Sequence, residues 1–370
     1  MSKSAFQLRC LRIFHFLGGC RATDTDDGKI ELIQASLSGK GAKITPRSYK
    51  TAYQDLRSIK LPVIGVEFYT HDSQVKGHYP AEWRPYFYTP THGWLCDNAS
   101  LTWSQIGFSA FNKQNGVLWD IASRISNQLR ICSLRIHQIS NAYYTSLSAV
   151  IARGNYKYDE KFIDHLIWTS YAEIQTFLTD ACILRDYLAE FVGNYMFKEI
   201  NINNIVIRTM NSLNKHILKK MASEDPLVVS LRSAISENGW LKILGDYRDL
   251  VIHSAPLISA KRKLFAVCGK ITLDIQELPA IRLPIPAKPF EIQKSRASLK
   301  HFESFSEQFN EFAGGDESDS PALDGLDYCH NALGMLADLA LTLAAYSPVT
   351  PEMPHFDETN IIGPVQIKYS

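Results

Sequence analysis

Tyr247-Arg248-Asp249-Leu250-Val251-Ile252-His253-Ser254 closes a helix-forming stretch and concentrates the polar chemistry of this chain. Arginine and histidine stand five positions apart, an acid follows the arginine, and Pro256 lies just beyond. The spacing predicts a helix from about Asn238 to Ser254. Proline disfavours helical backbone in the residue before it, so His253 falls near the C-terminal end. A helix with one apolar stripe must bury it against a neighbour, and the chain on both sides supplies such neighbours.

Upstream, Ile121, Ile125, Leu129, Cys132, Ile136, Ile139 and Tyr143 recur every three or four residues. They predict a helix from Trp119 to about Ala152, about 50 Å long at the usual rise. Gly154-Asn155 closes it. A second helix starts at Asp159 or nearby and runs through Phe162, Leu166, Phe177, Cys182 and Val192, with Gly193-Asn194 at its end. A third spans about Asn204 to Met221 and carries Arg208, Lys215, Lys219 and Lys220, and a short one follows Pro226. Downstream, Phe290 to Phe312 is helical in pattern, Gly314 to Pro321 is a polar linker, and Leu323 to Ala345 is a strongly apolar helix. Long helices joined by short connections predict an antiparallel bundle.

Two regions depart from this pattern. Residues 264–288 read as a β-like insertion, with strands at Leu264–Val267 and Ile271–Ile275 joined around Gly269-Lys270, then an extended Pro-rich segment. Residues 1–114 mix short strand-like runs (Lys29–Leu37, Leu61–Tyr69) with Gly and Pro, and Leu8–Cys20 reads as a short buried helix or strand. The expected fold class is therefore mainly α. An N-terminal α+β region (1–114) precedes a helical domain (115–345) carrying the 264–288 insertion, and residues 346–370 form a tail with four prolines.

Composition narrows the function classes. The 370 residues carry 39 basic and 38 acidic side chains, a formal net charge of +1. Wholesale attraction to polyanions or anionic membranes is not indicated by that balance. No apolar run is long enough for a membrane span, and Arg9, Arg12 and His15 interrupt the Leu8–Cys20 stretch, which therefore does not read as an export signal. Seven dispersed cysteines without a CxxC suggest neither a zinc site nor a disulfide framework, so reduced thiols in a cytoplasmic protein are expected. His137 and His165 read as histidines without carboxylate partners, and no metal or cofactor is expected. No P-loop, dinucleotide-binding glycine loop or nucleophile elbow occurs. Trp83, Tyr86, Phe87 and Tyr88 read as core packing in preference to base stacking.

In α-helical geometry Asp249 and His253 share a face, with Arg248 rotated about 100° from Asp249. Arginine can hold a phosphate and stabilise charge developing on it. An imidazole titrating near neutrality can give or take a proton. Metal-independent phosphodiester cleavage needs these parts. The bland alternative is an Arg–Asp surface pair and a histidine that stabilises a helix C-terminus. Arg185-Asp186 on the second helix reads as a structural ion pair that can support the motif, and Lys261, Arg262 and Lys263 as a weaker substrate-binding group.

The stretch Trp240 to Leu257, with Arg248, Asp249 and His253, resembles the signature helix of the HEPN superfamily (higher eukaryotes and prokaryotes nucleotide-binding domains). That signature is an arginine, usually followed by Asn, Asp or His, then a histidine four to six residues on. The resemblance covers roughly residues 118–345. It implies a helical bundle and a metal-independent endoribonuclease acting at a composite site in a homodimer. In that role Arg248 binds the scissile phosphate, His253 moves protons and Asp249 orients them. RNA is the implied substrate, in anti-phage defence or a toxin–antitoxin system with a protein partner. Ala255 stands where one toxin branch has a modified tyrosine, so that control is not implied here. Other members of the superfamily act as non-catalytic nucleotide- or protein-binding modules, which is the second expectation.

Overall fold

The computed structural model describes residues 9–25, 27–33, 43–71, 81–90, 93–197, 206–220, 225–254, 264–273, 276–297 and 322–353. They are mainly helical, with small antiparallel sheets. Strands β1 (Arg9–Phe16), β2 (Arg21–Asp24), β3 (Ile30–Leu32), β4 (Lys43–Ile44), β5 (Val63–His71) and β6 (Glu82–Pro85) form one sheet in the order β4-β3-β2-β1-β5-β6. β1 is central and covered on both sides, which is why its pattern does not alternate cleanly. Phe14 meets Tyr53 of helix α1 (Ala52–Ser58), while His15 reaches Ser140 of the long helix behind the sheet.

That helix is α3 (Gly116–Ala152), and its predicted stripe from Ile121 to Tyr143 is buried. Asn115 caps it by accepting from the Leu118 N–H. Helix α2 (Leu95–Asn112) packs along α3, so the helical layer starts earlier than the sequence pattern indicated. Its buried face mixes Trp103 and Ile106 with Ala99, Ser100, Gly107 and Ser109, so the apolar period is faint. The buried hydroxyls are satisfied internally: Ser100 Oγ donates to the Ser126 carbonyl at 3.1 Å and Ser109 Oγ to the Gln105 carbonyl at 3.0 Å.

Helix α4 (His165–Phe191) begins at Asp164, whose carboxylate accepts from the Leu166 and Ile167 N–H groups. Asp159 instead takes a positive φ in the preceding turn. A π turn, Val192–Met196, follows α4. The third predicted helix is short among the described residues. Thr209 caps α5 (Met210–Leu213), which widens at once into a π turn, Asn214–Leu218. Helices α6 (Pro226–Ile235) and α7 (Trp240–Asp249) come next, then α8 (Pro289–Ala297) and α9 (Gly325–Ala344). α9 packs on α2, α3 and α4, and the indole N–H of Trp103 donates to the Ala340 carbonyl at 2.9 Å.

The insertion differs in register from expectation. A single strand, β8, runs Ala266–Thr272 straight through Gly269-Lys270 between β7 (Lys161–Phe162) and β9 (Glu277–Arg282). Gly269 pairs with Ala280 inside the ladder, and the reversal comes later, where the Leu273 N–H meets the Gln276 carbonyl. A glycine inside a strand marks a turn only if pairing stops there, and here it continues. β10 (Pro284–Pro286) and β11 (Ala322–Asp324) form a small pair beside the helices. Tyr171 donates to the Pro284 carbonyl at 2.8 Å, and Tyr247 donates to the Pro286 carbonyl. Trp83 and Phe87 are buried, Tyr86 stacks on Tyr53, and Tyr88 receives the Val63 N–H, so this aromatic run is packing. No helix among the described residues is long and apolar enough to cross a membrane.

Candidate functional site

The α7 terminus is fixed from beneath. Leu241, Leu244 and Tyr247 are buried, and Tyr247 packs its ring 4.6 Å from Tyr328 of α9 while its hydroxyl holds β10. α7 lies against α4. Gly245 is the close-approach residue: a Cβ there would collide with Arg185 Nη1. Arg185 is buried in that gap, with Nη2 3.1 Å from Asp186 Oδ1. Asp186 Oδ1 also accepts the Met210 N–H at 3.0 Å, which ties the start of α5 to α4. Arg185 and Asp186 thus lie beside the motif helix and hold the structure together.

Arg248 leaves the helix at the rim of this contact, 30% exposed. Its Nε is buried and 2.9 Å from Asp249 Oδ1, but off the N–H axis, so no hydrogen bond forms there. Cys182 of α4 feels both groups. Burial raises its thiol to about 11, with Arg185 and Arg248 pulling the other way, so it stays a neutral thiol. Burial also raises Asp246, opposed by its ion pair with Lys242. Two guanidinium groups therefore meet here, Arg185 buried and Arg248 at the rim, each with an acid at the next position. A phosphate would have to compete with Asp249 for Arg248.

The helix does not continue in α form to His253. After Asp249 the backbone widens into a π turn, Leu250–Ser254. The change corrects the α-helical reading of the motif. Five residues along an α-helix leave Arg248 and His253 about 140° apart. A π turn closes its hydrogen bonds over five residues, so the backbone of His253 swings back towards the side of Arg248 while staying near that of Asp249. The side chain of His253 lies outside the described residues, as do Lys261, Arg262 and Lys263.

A groove of about 660 Å³ opens beside α7, lined by Asn211, Asn214, Lys219, Arg232, Lys242 and Asp246. Lys219 is one of the basic residues singled out in the sequence. The groove reaches the motif through Asp246, which feels the charges of Asp249 and Arg185.

A second polar cluster lies where the sheet meets α3. His137 does have a carboxylate partner, contrary to expectation: its Nε2 is 2.6 Å from Glu67 Oε1. His15 Nε2 is 3.2 Å from the same oxygen. Strand register brings them together. His15 sits opposite Arg21 and Gly65, and Ile13 opposite Glu67, so His15, Arg21, Glu67 and Trp83 share the face towards α3. α3 answers with Ser133, His137, Ser140, Asn141 and Tyr144 at helical spacing. Gly65 leaves room for the Trp83 ring, which stacks on His137 with centroids 4.7 Å apart. Burial lowers His15 to about 4, against the pull of Glu67, so its imidazole is neutral at pH 7. Burial would raise Glu67, but contacts with His137, His15 and Tyr69 outweigh it and hold the carboxylate well below its usual range. Nothing local in the sequence signals this cluster, because its members come from β1, β5 and α3. His165 stands exposed at the first position of α4, away from it.

No family model, curated protein or solved structure matches the chain.

Proposed function

We propose that the α7 terminus is the phosphate-handling site of a metal-independent endoribonuclease, acting as a homodimer of the HEPN kind. The observation that carries this reading is the π turn directly after Arg248-Asp249. It gathers the arginine, the acid and the histidine backbone on one side of the helix, and such turns recur at functional sites. The partly exposed guanidinium, aimed from a rim that Arg185 and Asp186 stiffen, also supports it.

In this mechanism Arg248 holds the scissile phosphate and offsets the charge that grows on the phosphorane. One His253 takes the proton of the ribose 2′-hydroxyl as that oxygen attacks phosphorus. The partner copy's equivalent histidine gives a proton to the departing 5′-oxygen. The products are a 2′,3′-cyclic phosphate and a 5′-hydroxyl. One motif supplies one histidine and one arginine, and a symmetric dimer supplies the pair of each that the two proton transfers use. The groove beside α7 offers Lys219 and Arg232 to the RNA backbone, with Glu237 and the Lys242–Asp246 ion pair also on its wall.

The test is RNA incubated with the purified chain in excess EDTA, with product ends analysed. Cleavage leaving cyclic phosphate ends is expected, and both Arg248→Ala and His253→Ala should lower it by about 10²-fold or more without changing the circular dichroism spectrum. Cutting that stays undiminished in both variants would remove this site assignment. Absence of cutting by the intact chain would leave a non-catalytic nucleotide- or protein-binding bundle as the better reading. A fully active monomer in sedimentation would sink the composite site.

A further inference from the structure

The cluster at the seam between sheet and α3 has a hydrogen-bonding conflict that a cation resolves. His15 is fully buried, and its Nδ1 lies 2.9 Å from Ser140 Oγ. With the ring proton on Nδ1, Nε2 presents a lone pair. That nitrogen faces Glu67 Oε1 at 3.2 Å without hydrogen-bond geometry, a buried polar atom left unpartnered. A second conflict sits at His137. Arg21 Nη2 donates to Asn141 Oδ1, which fixes the amide so that its Nδ2 donor faces His137 Nε2 at 3.2 Å. The same nitrogen lies 2.6 Å from Glu67 Oε1. It cannot accept from the amide and donate to the carboxylate at once. With that His15 tautomer, two imidazole nitrogens and one carboxylate oxygen converge, and a single proton can relieve only one of the contacts.

We propose that His15, Glu67 and His137 bind a divalent transition-metal ion, zinc foremost, through His15 Nε2, His137 Nε2 and Glu67 Oε1. The ligand set suits it: imidazole and carboxylate are zinc donors, and three protein ligands leave a fourth position for water or another ligand. Donors held by one tetrahedral zinc lie roughly 3.4 Å apart. His15 Nε2 and Glu67 Oε1, 3.2 Å apart, already meet that spacing, all three donors lie within 4.8 Å of one another, and the partly exposed His137 is the ligand whose side chain can adjust. The outer partners are in place. Ser140 holds the far nitrogen of His15, Tyr69 donates to Glu67 Oε2 at 2.5 Å, and the Trp83 ring backs His137. Arg21, stacked over Tyr144, is the opposing charge, and it favours an anion such as hydroxide in the fourth position. The ion joins β1, β5 and α3, and so fastens the sheet to the helices. It is separate from the α7 terminus and independent of the ribonuclease reading.

The untagged full chain, stripped with a chelator and dialysed, is titrated with zinc chloride by calorimetry, and thermal unfolding is followed with and without zinc. One zinc per chain and a raised unfolding temperature are expected. His137→Ala and Glu67→Gln should each weaken binding by at least about 100-fold, more than the loss of an outer partner usually causes. X-ray absorption at the zinc edge of the wild-type protein should show two imidazole ligands, a readout that needs no variant to fold. No saturable uptake at micromolar zinc, unchanged affinity in both variants, or a spectrum without imidazole scattering would overturn the proposal.

Discussion

At the α7 terminus the polar groups come from one stretch, Arg248, Asp249 and the backbone of His253, with Arg185 and Asp186 added from α4. At the sheet–α3 seam they come from residues 15, 67 and 137, on three elements that the chain visits far apart. The first region lies at a rim, and its cations already have acidic neighbours. In the second, His15 and Glu67 are buried and His137 is partly exposed, and its donors and acceptors do not balance. A local motif can be chemically complete yet need a second copy to act. A tertiary cluster can be geometrically complete yet need an ion to be satisfied. Buried lone pairs facing one another are costly, whereas rim charges are relieved by water.

The largest expected effect tests the first region. Arg248→Ala should lower RNA cleavage by about 10²–10³-fold, the usual cost of removing one transition-state donor. Arg248→Lys should restore little, because a point charge lacks the planar fork that grips phosphate. Full rescue by lysine, read from initial rates, would mean that Arg248 acts only as a charge.

His330 provides a contrast for the second region. It is also buried, but its Nε2 meets the Tyr86 carbonyl at 3.0 Å and its ring stacks on Phe87. Burial lowers it to about 4, so the folded state binds its proton less readily than the unfolded chain does. Its stabilising contribution is present above about pH 6.5 and is lost as pH falls through about 4, up to about 3 kcal/mol. Unfolding temperatures measured from pH 7 to pH 4 should fall, and His330→Leu should flatten that slope. An unchanged slope would show that His330 binds its proton as readily in the folded state as in the unfolded chain.

Gly65→Ala should break the seam without touching a candidate ligand. A Cβ there would collide with the buried Trp83 ring, so the indole must leave its stack on His137. The expected loss is about 2–3 kcal/mol in denaturant unfolding, typical of overpacking a core. A neutral outcome would mean that the sheet edge opens freely. Gly245→Ala should cost less, about 1 kcal/mol, because the atom in its way is the end of the Arg185 side chain. If RNA cleavage falls much further than stability does, Arg185 positions the motif as well as supporting the fold.

How much was legible follows the same division. The stripes of α3, α4 and α9 were readable because large apolar side chains repeat at helical spacing. α2 was not, because small and hydroxyl residues fill its buried face. Gly269 suggests a break that β8 does not have, since glycine marks a turn only when the partner strand stops pairing. The Arg248–Asp249–His253 stretch was visible, but its α-helical face was misjudged because the π turn is a backbone choice that residue spacing does not encode. Sequence spacing hides the carboxylate partner of His137, because Glu67 is seventy positions away.

By itself the sequence determined a mainly helical chain with strands before and within the helices, and it drew attention to Arg248 and Asp249 at the end of one helix. These depend on short-range periodicity and on proline, whose effects act within a few residues. Only the tertiary structure decided that Arg185 lies under Gly245, that the helix widens after Asp249, and that His15, Glu67 and His137 face one another. Those depend on strand register and helix packing, where a shift of one residue would turn each side chain to the opposite face.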